Sequence, residues 1–333
     1  MPQLRKDPIT GRWVIINIED PRPVETYYGE PHIKSSRVCP FCPGSEAMTP
    51  PEIAAYGRKS AAKNSSGWLV RVIPNKFPAL RIEDNTDKQA IGVYDKLGGF
   101  GAHEVIIDSP EHDRELSDLP VEHVELVLRA YRDRCVDLRK DPRFKYILIF
   151  KNYGLAAGAS LEHPHSQLIA LPIVPSRVQG EMKGGQRHFD HTDRCIYCDV
   201  LDQENTDPRR EVIVEPDYVA LVPFAARFPF ETWILPRAHA SSFDSLSDDQ
   251  ILPLARVLKG VLQRIKKTLH DPAFNLMIHT LPIHAKDQDT YHWHIEIIPQ
   301  VTQVAGFELG TGFYLNPMPP EKAAEALRAE GGV

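Results

Sequence analysis

No run of apolar residues in the 333-residue chain approaches the roughly eighteen needed to cross a bilayer, so no membrane span is expected. The first residues, Met1-Pro2-Gln3-Leu4-Arg5-Lys6, lead into turn formers rather than into the apolar core of a secretory signal, which points to the cytoplasm. Positive charge is not in excess: Lys and Arg total 39 against 45 Asp and Glu, a net charge of −6. That balance lacks the electrostatic footprint of a general nucleic-acid binder, though it leaves room for a local basic pocket. There are only five cysteines, and four of them form two C-x-x-C pairs. In a reducing compartment such pairs are metal ligands or redox dithiols rather than a disulfide framework. What the chain does have is an ordinary globular composition, 42% hydrophobic and 25% charged, and a length suited to about two domain-sized units.

The chain repeats itself once. Glu104-Val105-Ile106-Ile107 runs into Asp108-Ser109-Pro110-Glu111-His112, and Glu231-Thr232-Trp233-Ile234 runs into Leu235-Pro236-Arg237-Ala238-His239. Each apolar run has strand composition and leads to a histidine at the same distance. Helices follow in step. Val124, Val127, Leu128, Tyr131, Cys135 and Leu138 fall at three- and four-residue spacing, as do Leu254, Val257, Leu258, Val261, Ile265 and Leu269, so each helix presents one apolar face. Both helices are expected to stop at Asp-Pro, Asp141-Pro142 and Asp271-Pro272, because the residue before proline leaves the helical region. A strand follows in each half, over 144–150 and 274–278. Then His163-Pro164-His165 matches His292-Trp293-His294, and each half opens with a C-x-x-C.

His112 and His163 recur 127 and 129 residues later, whereas the two C-x-x-C pairs stand 156 apart. The extra residues therefore lie between the C-x-x-C and the strand of the first half. An ordered set of landmarks this long indicates a duplicated domain, 1–178 followed by 179–333. Residues 180–194, with Gly184-Gly185 and no apolar periodicity, are expected to be the linker. The fold class this implies is α+β: two antiparallel sheets joined into one extended half-barrel, with a long helix packed against each.

Zinc prefers thiolate and imidazole ligands in a tetrahedron. The first half offers Cys39, Cys42, His112 and His163; the second offers Cys195, Cys198, His239 and His292. Taken singly, His112 or His239 is as well explained as a surface or helix-capping residue; the repetition of the whole set points to metal. A redox dithiol would bring a thioredoxin-like βαβ pattern, which is not seen. Cys135 lies on the apolar helix face and is assigned to the core. Four protein ligands leave no open position for a catalytic water, so both zincs are expected to be structural.

The chemistry then falls to His165. In a strand, alternate side chains share a face, so His163 and His165 point the same way, and a metal on the first would hold the second rigidly. A neutral imidazole is a competent nucleophile toward phosphorus, provided an acceptor such as a backbone carbonyl sets its tautomer. Gln167 shares that face and can donate to a phosphoryl oxygen. The small residues of Asn152-Tyr153-Gly154-Leu155-Ala156-Ala157-Gly158-Ala159-Ser160 allow close backbone approach to a phosphate. At the repeat position of Gln167 stands Glu296, which would repel a phosphate, so the His294 site is expected to be degenerate.

With its H-P-H-S-Q run at 163–167, the chain resembles the histidine-triad superfamily, and over nearly all its length the galactose-1-phosphate uridylyltransferase family within it. The resemblance implies a ping-pong exchange. The middle histidine takes the uridylyl group of UDP-glucose, releases glucose 1-phosphate, and passes the group to galactose 1-phosphate. It implies phosphate contact by Arg22, a nucleotide pocket at Asn75 and Phe77, a phosphate-side loop at Asn152, Gly158 and Ser160, and a sugar-side segment at Phe307 and Glu308. It also implies a homodimer in which that last segment serves the partner's site.

Three features depart from many uridylyltransferases: Ser166 before Gln167, Glu19 in place of the first arginine of an R-x-x-R-P run, and the second C-x-x-C. They resemble the related ADP-glucose phosphorylases, in which an adenylyl-histidine is passed to phosphate. The uridylyltransferase is the leading expectation and the phosphorylase its alternative. A dinucleotide hydrolase and a zinc-stapled binding module without catalysis are further readings. The C-terminal sugar-side segment argues against the hydrolase, and the His165–Gln167 pair against a dead pocket.

Overall fold

The structure, a computed structural model, describes residues 2–19, 21–29, 38–59, 62–286 and 288–331. In chain order the strands are β1 (Gln3–Lys6), β2 (Trp13–Ile16), β3 (Ala54–Tyr56), β4 (Val70–Pro74), β5 (Lys88–Ile91), β6 (Tyr94–Leu97), β7 (Ala102–Ile107), β8 (Tyr146–Tyr153), β9 (His165–Leu171), β10 (Glu211–Val214), β11 (Tyr218–Leu221), β12 (Thr232–Pro236), β13 (Phe274–His279), β14 (His294–Pro299) and β15 (Tyr314–Asn316). The helices are α1 (Val121–Leu138), α2 (Ser176–Thr192), α3 (Ile196–Thr206), α4 (Asp248–Thr268), α5 (Gly306–Thr311) and α6 (Pro320–Ala329).

Ten strands form one antiparallel sheet in the order β10-β11-β12-β14-β13-β8-β9-β7-β4-β3. Read outward from the middle, β8-β9-β7-β4-β3 mirrors β13-β14-β12-β11-β10. The repeat is therefore a pseudo-twofold, and its seam is the β8–β13 pair, with Phe274 opposite Tyr153 and Ile278 opposite Ile149. β1, β2 and β15 make a small second sheet, and β5 and β6 a separate hairpin that accounts for part of the extra length of the first half.

Period-2 alternation divides the sheet's two faces. One face carries Ile106, Leu168, Ile149, Ile278, Ile295 and Ile234, and α1 and α4 lie against it in a single apolar core spanning both halves. All six apolar positions expected on each helix are buried, Leu269 at the C-cap of α4 included. A fully buried leucine contributes about 1.5–3 kcal/mol, and truncating one such as Leu128 to alanine would cost about 2–5 kcal/mol. Ser247 and Gln250 form a capping box at the start of α4. Both helices stop a little before their Asp-Pro pairs.

Two sequence expectations need correction. Residues 180–194 are not an irregular linker, because most of that stretch lies in α2. Its glycines are packing residues. A Cβ on Gly184 would stand 1.8 Å from the Ile9 carbonyl oxygen, and one on Gly185 would stand 2.2 Å from that of Thr290. Close approach of the backbone, not flexibility, explains the pair. His163 does not share a strand with His165 either, for β9 begins at His165. Pro164 has no N–H to extend the ladder, but its carbonyl accepts the Asp108 N–H at 3.1 Å and carries the pairing one step further. Among the described residues no helix is long and apolar enough to cross a membrane.

Candidate active site

Antiparallel register places His103, Val105 and Ile107 of β7 beside Ile169, Gln167 and His165 of β9. These side chains, with Asn152 of β8 and Asn275 of β13, share the face opposite the long helices. The Cys39–Cys42 turn packs onto this face through Phe41, which clusters with Trp68, Ile73, Val105 and Ile107. The Phe41 ring stands edge-on to His165 at 5.3 Å.

The ligand atoms of Cys39, Cys42, His112 and His163 lie within 4.8 Å of one another, as do those of Cys195, Cys198, His239 and His292. Cys42 Sγ is 3.4 Å from His112 Nδ1 and 3.6 Å from His163 Nδ1, and the two Nδ1 atoms are 3.3 Å apart. Such separations suit ligands at about 2.0–2.3 Å from one shared tetrahedral ion. The far ring nitrogens are anchored. His163 Nε2 donates to the Ser109 carbonyl at 2.7 Å, His292 Nε2 to that of Pro236 at 2.9 Å, and His239 Nε2 to that of Gln288 at 2.9 Å. Protons held there leave the Nδ1 lone pairs aimed into each group. Burial keeps His163 neutral, pushing it down to about 4. Both groups fit a metal ion.

His165 is tied to His163 by a hydrogen bond: its Nδ1–H donates to the His163 carbonyl at 2.8 Å. The tautomer is thereby set, and the Nε2 lone pair has no hydrogen-bond partner among the described residues. Burial pushes the imidazole below its ordinary value, and the nearby Lys151 cation acts in the same direction, so the ring is neutral near pH 7. Beneath it, on the core side, Lys151 Nζ bonds Asp108 at 2.9 Å and Glu115 at 3.1 Å, and lies 3.4 Å from the His165 carbonyl oxygen. Ser166 points to that side too, bonding Asp108 and Tyr131. The departure at position 166 thus belongs to the core rather than to the open face.

Two amides flank His165 with their oxygens engaged. Gln167 Oε1 lies 2.8 Å from His103 Nε2. Asn152 Oδ1 accepts from Asn275 Nδ2 at 2.8 Å, while Asn275 also donates to the Ala157 carbonyl and accepts from Gln300. In each case the amide N–H groups of Gln167 and Asn152 have no acceptor among the described residues and remain as donors on the open face. Gly158 ends the 3₁₀ turn Leu155–Ala157 at φ +86°, a conformation suited to glycine. Ser160 is exposed on the same loop. Asn75 accepts the Phe77 N–H at 2.9 Å in an Asx turn that leaves the Phe77 ring 82% exposed.

No hydrogen bond among the described residues joins Arg22, Phe307 or Glu308 to this group. Arg22 is exposed near the short helix Val24–Tyr27, and Asp20 in the same run lies outside the described residues. Phe307 is exposed on α5, where the Glu308 carboxylate accepts the Ala305 N–H. Sequence reasoning missed His103, Asn275 and the Lys151–Asp108–Glu115 cluster. The available signal was parity: His103 and Asn275 are polar residues on the strand face shared with His165, and Lys151 is a charge at a core-facing position.

In the second half His294 repeats the tie, donating from Nδ1 to the His292 carbonyl at 3.1 Å. Glu296, however, does not face a phosphate site. It is ion-paired with Arg177 at 2.6 Å and Arg227 at 2.9 Å, and lies 3.4 Å from His279. Glu181 flanks the other side of His279 at 3.4 Å, and the His279 ring stacks on His294 at 4.7 Å. Glu181, His279 and His294 are a third group whose ligand atoms converge. Arg177 pairs with Glu181 at 3.5 Å as well as with Glu296, so the carboxylates on both sides of His279 already have arginine partners.

The comparisons with known proteins point to one family. The family model described as "Galactose-1-phosphate uridyl transferase, N-terminal domain" matches residues 1–175, and a "Domain of unknown function (DUF4921)" model matches 101–330. An ADP-glucose phosphorylase of Arabidopsis thaliana is 38% identical, covering 98% of this chain and 92% of its own. A galactose-1-phosphate uridylyltransferase of Thermotoga maritima is 30% identical, covering 98% of each. The crystal structure of an Arabidopsis thaliana ADP-glucose phosphorylase with bound ADP-glucose superposes with a TM-score of 0.83 at 36% identity, over 98% of each chain. The chain belongs to the galactose-1-phosphate uridylyltransferase family of the histidine-triad superfamily, and is a nucleotidyltransferase of that family.

Proposed function

We propose that the protein transfers an adenylyl group from ADP-glucose to inorganic phosphate through a covalent intermediate on His165. The observation that carries the covalent step is the His165 tautomer: the Nδ1–H is held by the His163 carbonyl, and the Nε2 lone pair is unengaged beside a free Gln167 amide. Nε2 forms a bond to the α-phosphorus, the bond to the bridging oxygen breaks, and glucose 1-phosphate leaves. A phosphate oxygen then attacks the same phosphorus, the N–P bond breaks, and ADP is released. Gln167 and Asn152 donate to the non-bridging oxygens as charge grows on them. Two zinc ions, held by the two Cys₂His₂ groups, would cross-link distant segments and supply folding energy.

Adenine and phosphate are favoured over uracil and a sugar phosphate by the whole-chain identity of 38% with the phosphorylase against 30% with the uridylyltransferase. This reverses the order expected from sequence. The uridylyl reading keeps one specific support, the uridyl transferase model over residues 1–175. In either reading Arg22, Phe77 and Asn75 serve the nucleotide. Phe307, exposed on α5, and Glu308 serve the sugar side of a partner subunit's site in a homodimer.

Intact-protein mass spectrometry after separate incubation with ADP-glucose and UDP-glucose tests this. An AMP adduct, absent in His165→Ala, is expected. A UMP adduct alone would transfer the conclusion to the uridylyl reading. No adduct with either donor would overturn the covalent mechanism.

A further inference from the structure

We infer that His103 is a positioning residue for the transfer step: its ring dictates which way the Gln167 amide faces and ties that amide to the loop at 75–79. The backbone N–H of Ala79 points at His103 Nδ1 from 3.1 Å. A backbone N–H can only donate, so Nδ1 is the acceptor nitrogen and the neutral ring carries its proton on Nε2. Within reach of Nε2 lie Gln167 Oε1 at 2.8 Å and Asn75 Nδ2 at 3.0 Å. Asn75 Nδ2 is itself a donor and cannot accept, and the Asn75 oxygen is turned to the Phe77 N–H, so the single Nε2 hydrogen goes to Gln167 Oε1 and the Asn75 amide nitrogen is a close neighbour of the ring rather than its acceptor. An amide whose oxygen is fixed has its NH₂ fixed on the other side. Gln167 is thus held as a donor to the open face, the role that a phosphoryl oxygen beside His165 requires.

Without His103 the amide is free to turn and present its oxygen, which repels a phosphoryl oxygen instead of stabilising it. The same ring also anchors Ala79, the last residue of Asn75-Lys76-Phe77-Pro78-Ala79. His103 therefore links nucleotide-loop closure to amide orientation: the loop backbone chooses the tautomer, and the tautomer chooses the amide. The register position differs across the seam. The residue paired with Val105 is Gln167, whereas the residue paired with Trp233 is Glu296, a carboxylate with no orientation to set.

This inference rests on the proposed transfer through His165, and the test separates the two. Single-turnover rates of adduct formation on His165 would be measured for the wild type, His103→Ala, Gln167→Ala and the double variant, with nucleotide-sugar concentration varied. His103→Ala is expected to slow the step about tenfold and Gln167→Ala about a hundredfold. The double variant should match Gln167→Ala in maximal rate while keeping the raised half-saturation concentration that loss of the loop anchor brings. Losses that multiply in the double variant would overturn the inference, because His103 would then act independently of Gln167. A wild type that forms no adduct at all would instead overturn the proposed function. A second readout needs no activity. In ¹⁵N-histidine-labelled protein, assigned with His103→Gln, the His103 ring should be the Nε2–H tautomer. The Nδ1–H tautomer would sink the argument even if the kinetic effect were present.

Discussion

The two halves share strand order, a Cys₂His₂ group, and a second histidine that donates to the carbonyl of the first. They differ in what covers the face above it. In the first half His165 lies beside Phe41 and the open Asn152 and Gln167 donors. In the second, the N-terminal segment around Asp7–Arg12, helix α2 and Tyr197 of α3 cover the equivalent ground, so that Asp7, Ile9, Arg12, Arg177, Glu181 and Tyr197 line one small cavity with His294 and Glu296. His294 is 1% exposed and stacks on His279. His165 is nearly as buried, at 6%, so one fold unit supports either an imidazole whose Nε2 has no partner among the described residues or one stacked on a second histidine. The choice is made by the residue two positions on, glutamine or glutamate, and by the lid that packs over it.

Substitution at the two equivalent histidines gives the sharpest break. His165→Ala should lower transfer by roughly four orders of magnitude or more, read by single-turnover kinetics. His294→Gln should leave the folded protein active, and an equal loss there would dissolve the distinction between the halves. At the next pair of positions the effects should separate by kind. Gln167→Ala is expected to cost about a hundredfold in rate with little change in stability. Glu296→Ala leaves Arg177, Arg227 and His279 short of a buried partner and should cost about 3–5 kcal/mol by denaturant titration, with activity per folded molecule retained.

Metal removal should divide the same way. Cys42→Ser, in the group that holds His163, is expected to abolish both metal at that site and transfer. Cys198→Ser should lower the melting temperature while activity survives below it. Metal content by mass spectrometry and activity on the same samples check both.

The smallest expected effect is on the pH profile of stability, and it belongs to the second half. His279, flanked by Glu181 and Glu296, is raised to about 9 although burial opposes the shift. A raised folded-state value gives stability that is complete below the unfolded value near 6.5 and is lost as pH climbs through about 9. Glu181 is lowered to about 2 despite its burial, by His279 above all. Its contribution is complete above the ordinary carboxylate range and disappears as pH falls toward 2. Denaturant midpoints measured from pH 6 to 10 should decline at the alkaline end, and His279→Gln should flatten that decline.

Much of this arrangement was legible in the sequence because periodicity and ligand chemistry are local signals. Val124 to Leu138 at helical spacing declared a buried helix, and two sets of Cys₂His₂ in the same order declared the duplication. What escaped depends on registers that pair distant strands. His103 is 64 residues from Gln167, and Asn275 is 123 from Asn152; only the sheet brings them together. Gly184-Gly185 misled because glycine is ambiguous in sequence between a mobile joint and a place where two backbones nearly touch. Glu296 stood out in the sequence as the carboxylate in place of Gln167, but its arginine partners come from α2 and from the turn before β12, neither of which a strand pattern reveals.

The seam between β8 and β13 has a consequence for how such a chain could diverge. Two identical subunits joined edge to edge would be bound by their symmetry, so a mutation that buries one active histidine would bury both. Covalent duplication removes that bond between the copies. One half could trade an amide for a carboxylate, acquire a glycine-paired helix as a cover and become ballast for folding, while its twin stayed under selection for chemistry. The short outer strands β3 and β10, of three and four residues, then terminate a sheet whose longest edges were spent internally, leaving little template for further chains to add.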